Sequence, residues 1–186
     1  MWAVVSVLAP SAASAQDSAQ TFRPSFSVQA AAGPTLVETG HTFSAAAGFS
    51  PWSRVTFMLD VQRTHQNSRV TVTEGPGYSS VSRFRGGKMT AVSGEARVAL
   101  FPPHRVTPYV LAGFGRGTSR PTVNEDFPDP VENDARFIFF GGGVHVPVWS
   151  RLSAFGDLRL LVGAEGSQAD GLLAMLPVRL GMAWRF

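Results

Sequence analysis

The sequence predicts an all-β fold, an eight-stranded antiparallel up-and-down transmembrane β-barrel. Three observations predict it. Apolar and polar residues alternate with a period of two through nearly the whole chain, the alternating segments are long enough to cross a bilayer as strands, and the connections switch regularly between short and long.

Composition narrows the class first. The 186 residues suffice for one domain of ordinary size. Charged residues make up only 16% of the chain, against 44% apolar, so the surface is short of charge. The 19 glycines and 13 prolines punctuate many short elements rather than a few long helices. There is no cysteine, which excludes disulfides, thiolate metal sites and thiol nucleophiles. The net charge of +3 comes from scattered arginines, with Lys88 the only lysine. Nucleic-acid binding needs clustered cations and is not expected.

The N-terminus reads as a secretory signal. Residues 1–10 are nearly all apolar, residues 11–15 are small, and Ala13-Ser14-Ala15 fits an A-x-A cleavage pattern, although no basic n-region precedes them. Residues 1–15 are therefore assigned to the signal peptide, 16–24 to an N-terminal lead and 25–186 to the barrel. Beyond the signal no apolar run reaches 18 residues, so no transmembrane helix is expected. An exported chain of this kind is either a soluble β protein or an outer-membrane barrel.

Eight strands follow in order. In the first, Phe26, Val28, Ala30 and Ala32 oppose Ser25, Ser27, Gln29 and Ala31. In the second, Phe43, Ala45, Ala47 and Phe49 oppose Thr42, Ser44, Ala46 and Gly48. In the third, Val55, Phe57, Leu59 and Val61 oppose Thr56, Met58, Asp60 and Gln62. The fourth sorts Val92, Gly94, Ala96, Val98 and Leu100 from Ser93, Glu95, Arg97 and Ala99. Segments 106–117 and 135–148 are Gly-rich and apolar on both faces. In the second of these Ile138, Phe140, Val144 and Val146 are expected outward and His145 inward. The seventh strand sorts Leu152, Leu158, Leu160 and Val162 from Ser153, Asp157 and Arg159. The eighth, 176–186, has Leu176, Val178, Leu180, Met182, Trp184 and Phe186 on one face, with Arg179, Gly181 and Arg185 on the other. Only a strand sorts side chains this way, because successive Cβ atoms point to opposite faces.

These segments run to about 9–14 residues each, enough for the ~9–11 a membrane strand needs. Short connections are expected at 50–54, 102–105 and 149–151, and long ones at 34–40, 66–87, 118–134 and 164–173, which matches short periplasmic turns and long outer loops. Aromatics near strand ends (Phe26, Phe49, Trp52, Phe101, Tyr109, Trp149, Trp184, Phe186) suit an interfacial girdle.

The closing residues Arg179-Leu180-Gly181-Met182-Ala183-Trp184-Arg185-Phe186 resemble the terminal strand of the outer-membrane β-barrel domain family, the small eight-stranded OmpA/OmpX-type barrels. Pro108-Tyr109-Val110-Leu111-Ala112-Gly113-Phe114-Gly115 resembles that family's P-Y-x-x-x-G-x-G strand. Gly141-Gly142-Gly143-Val144 followed by Leu152-Ser153-Ala154-Phe155-Gly156-Asp157-Leu158-Arg159 resembles its sixth and seventh strands. The resemblance implies a bacterial outer-membrane location and a terminal strand read by the barrel-assembly machinery, with Trp184 and Phe186 carrying that signal. No peptidoglycan-binding domain is expected after the last strand.

Eight strands enclose a lumen that side chains can fill. Asp60, Glu95, Arg97, Asp157, Arg159 and Arg179 fall inward at similar heights, three acids against three arginines, and a paired ionic network is expected. Adjacent strands would set Asp60 beside Arg97 and Asp157 beside Arg179. His145, Ser153 and Asp157 are the residue types of a nucleophile relay, but no oxyanion hole is evident. His41, His65 and His104 lie apart, so no metal site and no cofactor are expected. Residues 124–134 hold five of the thirteen acids, and the loop before Lys88 carries Arg69, Arg83 and Arg85. Such loops could meet lipopolysaccharide phosphates directly or through divalent cations. The expectation is a monomeric, non-enzymatic barrel with a structural or surface-interaction role. A narrow ion-conducting channel is the alternative, and an outer-leaflet lipid-modifying enzyme the third reading.

Overall fold

The alternating segments form strands that pair only with neighbours in the chain, and the last wall strand pairs with the first. The computed structural model describes residues 23–36, 40–67, 69–75, 78–84, 86–102, 105–121, 133–165 and 171–186. The strands are β1 (Ser25–Thr35), β2 (Gly40–Ser50), β3 (Val55–Gln66), β4 (Arg69–Gly75), β5 (Tyr78–Phe84), β6 (Gly87–Ala99), β7 (Thr107–Pro121), β8 (Asn133–Pro147), β9 (Leu152–Glu165), β10 (Gly171–Met175) and β11 (Val178–Arg185). The wall runs β10-β9-β11-β1-β2-β3-β6-β7-β8, and β8 pairs back onto β9, which closes the cylinder. All its pairings are antiparallel. Closure leaves no sheet edge, the condition for a strand fold in hydrocarbon.

Register fixes the shape. The pairs run from Gly163 through Phe137, Gly115, Ser93, Asp60, Ala46, Gln29 and Ala183 back to Ser153, ten residues below the start on β9. With a rise of ~3.3 Å per residue and strands ~4.8 Å apart, that stagger tilts the strands by about 40°.

The eighth wall strand differs from its expected bounds. It starts earlier, as β10, and Pro177 divides it from β11. Proline has no N–H for the ladder. Its carbonyl still accepts from Arg159 N at 3.1 Å, and it keeps a single bridge to Thr35. The second long connection also differs. It contains the hairpin β4–β5, which forms its own two-stranded sheet. The signal peptide, most of the lead and the acidic segment 124–132 lie outside the described residues.

Burial is inverted relative to a water-soluble domain. Among the described residues 26 large apolar side chains are exposed, while 13 apolar side chains are buried. Soluble monomers rarely expose large contiguous apolar patches. Leu180 is 69% exposed and Phe114 73%, each in mid-wall. On β8 the exposed apolar positions extend from Ile138 to Val148, beyond the strand's lower end. At the strand tilt above, ten residues rise about 25 Å, the height of an outer-membrane hydrocarbon band.

Candidate functional site: the lumen

The inward face is built from layers. At its upper end the hydroxyls of Thr35, Thr42 and Thr64 contact one another at 3.4 and 3.0 Å, and Gln66 Nε2 donates to Met175 Sδ at 3.0 Å. Below lies an apolar layer that includes Met89, Phe137, Phe139, Leu161 and Met175, all buried. Two inward positions on β7, 113 and 115, are glycines because the rings of β8 occupy their space. A Cβ on Gly113 would strike the Phe139 ring, and one on Gly115 the Phe137 ring.

Beneath the apolar layer the six inward charges come together. Arg179, fully buried, donates to Asp157 at 2.9 Å through both Nε and Nη2, in a fork against the carboxylate. Its Nη1 crosses the lumen to Asp60 Oδ2 at 2.7 Å and to Ser44 Oγ at 2.9 Å. Arg159 reaches Glu95 at 2.7 Å and Asp157 at 3.2 Å, with Asp60 at 3.6 Å. Arg97 pairs with Glu95 and donates to Gln29 Oε1 at 3.0 Å. Three carboxylates against three guanidiniums leave this layer electrically neutral.

The pairing differs in part from the one expected. Asp157 does sit opposite Arg179. Asp60 lies opposite Ser93, whereas Arg97 lies opposite Thr56 and Leu111, so the acid on β3 takes its partner from across the lumen instead. Equal residue counts along separate strands do not give equal heights, because the stagger moves such side chains to different levels.

Two contributions were not foreseen. Tyr109 is a lumen residue, not part of an aromatic girdle: it is buried, and its hydroxyl donates to Asp157 at 3.3 Å. No clear signal in the sequence marks this, because segment 106–117 is apolar on both faces; in the structure Val110 and Ala112 are the exposed neighbours. The guanidiniums also rest on rings. Arg97 lies 5.3 Å from the Tyr109 centroid and 5.4 Å from Phe155, and Arg159 lies 5.1 Å from Phe139.

Below the charges the lumen opens into a cavity of about 200 Å³ at the short-turn end, bordered by Ser27, Arg97, Tyr109, His145 and Ser153. His145 and Ser153 thus share this cavity, but Asp157 is engaged by Arg159, Arg179 and Tyr109. His145 stands opposite Thr107 and Phe155 in the ladder, and no relay among the three is formed. Among the described residues no cluster of three or more His, Asp or Glu could hold a metal. His41 and His65 face each other on the outer wall at 5.2 Å between rings, and His104 lies outside the described residues. Trp184 pairs with Val28 and Leu152, and Phe186 N donates to Phe26 O at 2.9 Å, so the chain's last residues are held in the wall.

No family model matches the chain, and no curated protein does. Solved structures do. The N-terminal β-barrel domain of Pseudomonas aeruginosa OprF superposes with a TM-score of 0.59 at 15% identity, over 87% of this chain and 97% of that one. Neisserial surface protein A gives 0.55 at 12% identity, over 87% and 94%. Ail, the attachment invasion locus protein of Yersinia pestis, gives 0.52 at 14% identity, over 88% and 97%. The fold is that of the small eight-stranded outer-membrane barrels. As an outer-membrane-type barrel, the chain has its apolar face outside and its charged face inside, the reverse of a soluble domain.

Proposed function

We propose that this chain resides in the bacterial outer membrane as a monomeric barrel with a closed lumen, acting through structure and surface contact rather than catalysis or conduction. The observation that carries the reading is the two-layer closure. An ion entering from the long-loop end would meet the buried Phe137, Phe139 and Leu161, and then six charges already paired with one another. Breaking those pairs to admit an ion would leave buried charge uncompensated. The reading also draws on the neighbours, which include a surface protein and an attachment protein among outer-membrane barrels.

Planar-bilayer recording of the purified chain tests closure. The expected trace shows no resolved open-channel steps, and stable ohmic steps that scale with protein would favour the narrow channel instead. Lipid A mass spectra of a deletion strain test the enzyme reading, and the expected spectra are unchanged.

The terminal residues Trp184 and Phe186 serve in this reading as the signal for the barrel-assembly machinery. Phe186→Ser should lower accumulation in the membrane while leaving refolding into detergent intact. Normal accumulation would remove that role.

A further inference from the structure

The outer wall is uniform neither in charge nor in relief. On β7 and β8, Arg116 and Arg136 are direct cross-strand partners, both exposed and both facing out. Like charges in this position repel and destabilise a sheet. Neither makes an ion pair or side-chain hydrogen bond among the described residues, and Asp134, two residues above Arg136 on the same face, pairs with neither. Arg63 and Lys88 are exposed on the same side of the barrel, on β3 and β6. On the far side the upper outward positions are Pro34, Leu36 and Leu176.

Below the two arginines and one strand over, on β6, the wall is notched. Gly94 lies between Leu59 and Phe114 in the ladder, and a Cβ built on it would meet nothing within 4 Å. Its missing side chain helps open a groove of about 1070 Å³, bordered by Leu59, Phe114, Ile138 and Val162, with Arg116, Arg136 and the carboxylate Asp134 among its lining residues. An apolar slot headed by two opposed guanidiniums fits one kind of occupant, a molecule with an acyl chain and an anionic head.

We infer that this face binds one lipid bearing a phosphate monoester, its phosphate between Arg116 and Arg136 and an acyl chain in the slot over Gly94. A phosphate monoester carries close to two negative charges and can engage both guanidiniums even with Asp134 at the groove's rim, whereas a diester carries one charge. The inference rests on the membrane-embedded reading above. It adds a specific lipid site on the wall, separate from the loops.

Native mass spectrometry of the full chain in detergent tests it, with diphosphoryl lipid A and phosphatidylglycerol as probes. The wild type should retain one lipid A under conditions that strip phosphatidylglycerol. R116Q/R136Q should weaken retention by about tenfold or more, tenfold being the equivalent of one lost charge-assisted bond. Gly94→Leu, whose Cβ would meet nothing within 4 Å, fills the slot and should weaken retention as well. Equal retention by all three proteins or equal retention of the diester lipid would each overturn the site. Both variants should still migrate as folded barrels on unboiled gels. A wild type that shows no such species would instead overturn the membrane reading itself.

Discussion

Arg179 on β11 joins Asp60 on β3 across the lumen at 2.7 Å, while the same guanidinium grips Asp157 on the neighbouring strand β9. One side chain thus ties β11 both to its neighbour β9 and to β3, 119 residues away in sequence. Buried ion pairs are poor evidence of net stability, but removing one partner leaves the others charged in a dry interior. Arg179→Met should therefore cost about 3–5 kcal/mol in urea unfolding from detergent or bilayer. A loss below about 1 kcal/mol, the range of an exposed pair, would mean that water reaches this layer.

The glycines of β7 and the rings of β8 are a matched set. Gly115→Val should destabilise the barrel because its Cβ would meet the Phe137 ring. Phe137→Ala alone should cost about 3–5 kcal/mol by leaving a cavity. The double variant should be more stable than the sum of the single losses implies, since each change relieves the other. Strict additivity in the unfolding midpoints would show that the two positions do not share space.

The hairpin β4–β5 pairs only within itself. Replacing residues 68–85 with a short Gly-Ser turn should leave barrel stability within about 1 kcal/mol, since closure entropy changes slowly with loop length. Heat-modifiable migration on gels reads this directly. Loss of the folded band would show that the hairpin supports the wall.

Much of the wall was legible in the sequence because period two leaves little freedom. Once Leu180 faces out, Arg179 and Gly181 face in. The same rule set Asp60, Glu95, Arg97, Asp157 and Arg159 on the lumen side. What alternation cannot supply is stagger. The ten-residue offset around the barrel decides which side chains share a level, and so the partner of Asp60 was misjudged. Tyr109 is illegible for a different reason: its segment is apolar on both faces, so alternation does not tell an inward ring from one at the membrane interface. The notch at Gly94 was hidden because a glycine in an apolar row reads as one more small residue until its neighbours Leu59 and Phe114 are seen to project on both sides.

Hydrocarbon against the outer wall is the premise on which the rest depends. The chain has no cysteine, so single-cysteine spin labels report one position each. Labels at Phe140 and Leu180, exposed in mid-wall, should be compared in vesicle-reconstituted protein with a label at the short-turn residue Ser150. Phe140→Cys and Leu180→Cys should relax with dissolved oxygen and be shielded from a water-soluble nickel chelate, while Ser150→Cys shows the opposite preference. Equal access of the nickel chelate to all three positions would put the outer wall in water and contradict the membrane assignment.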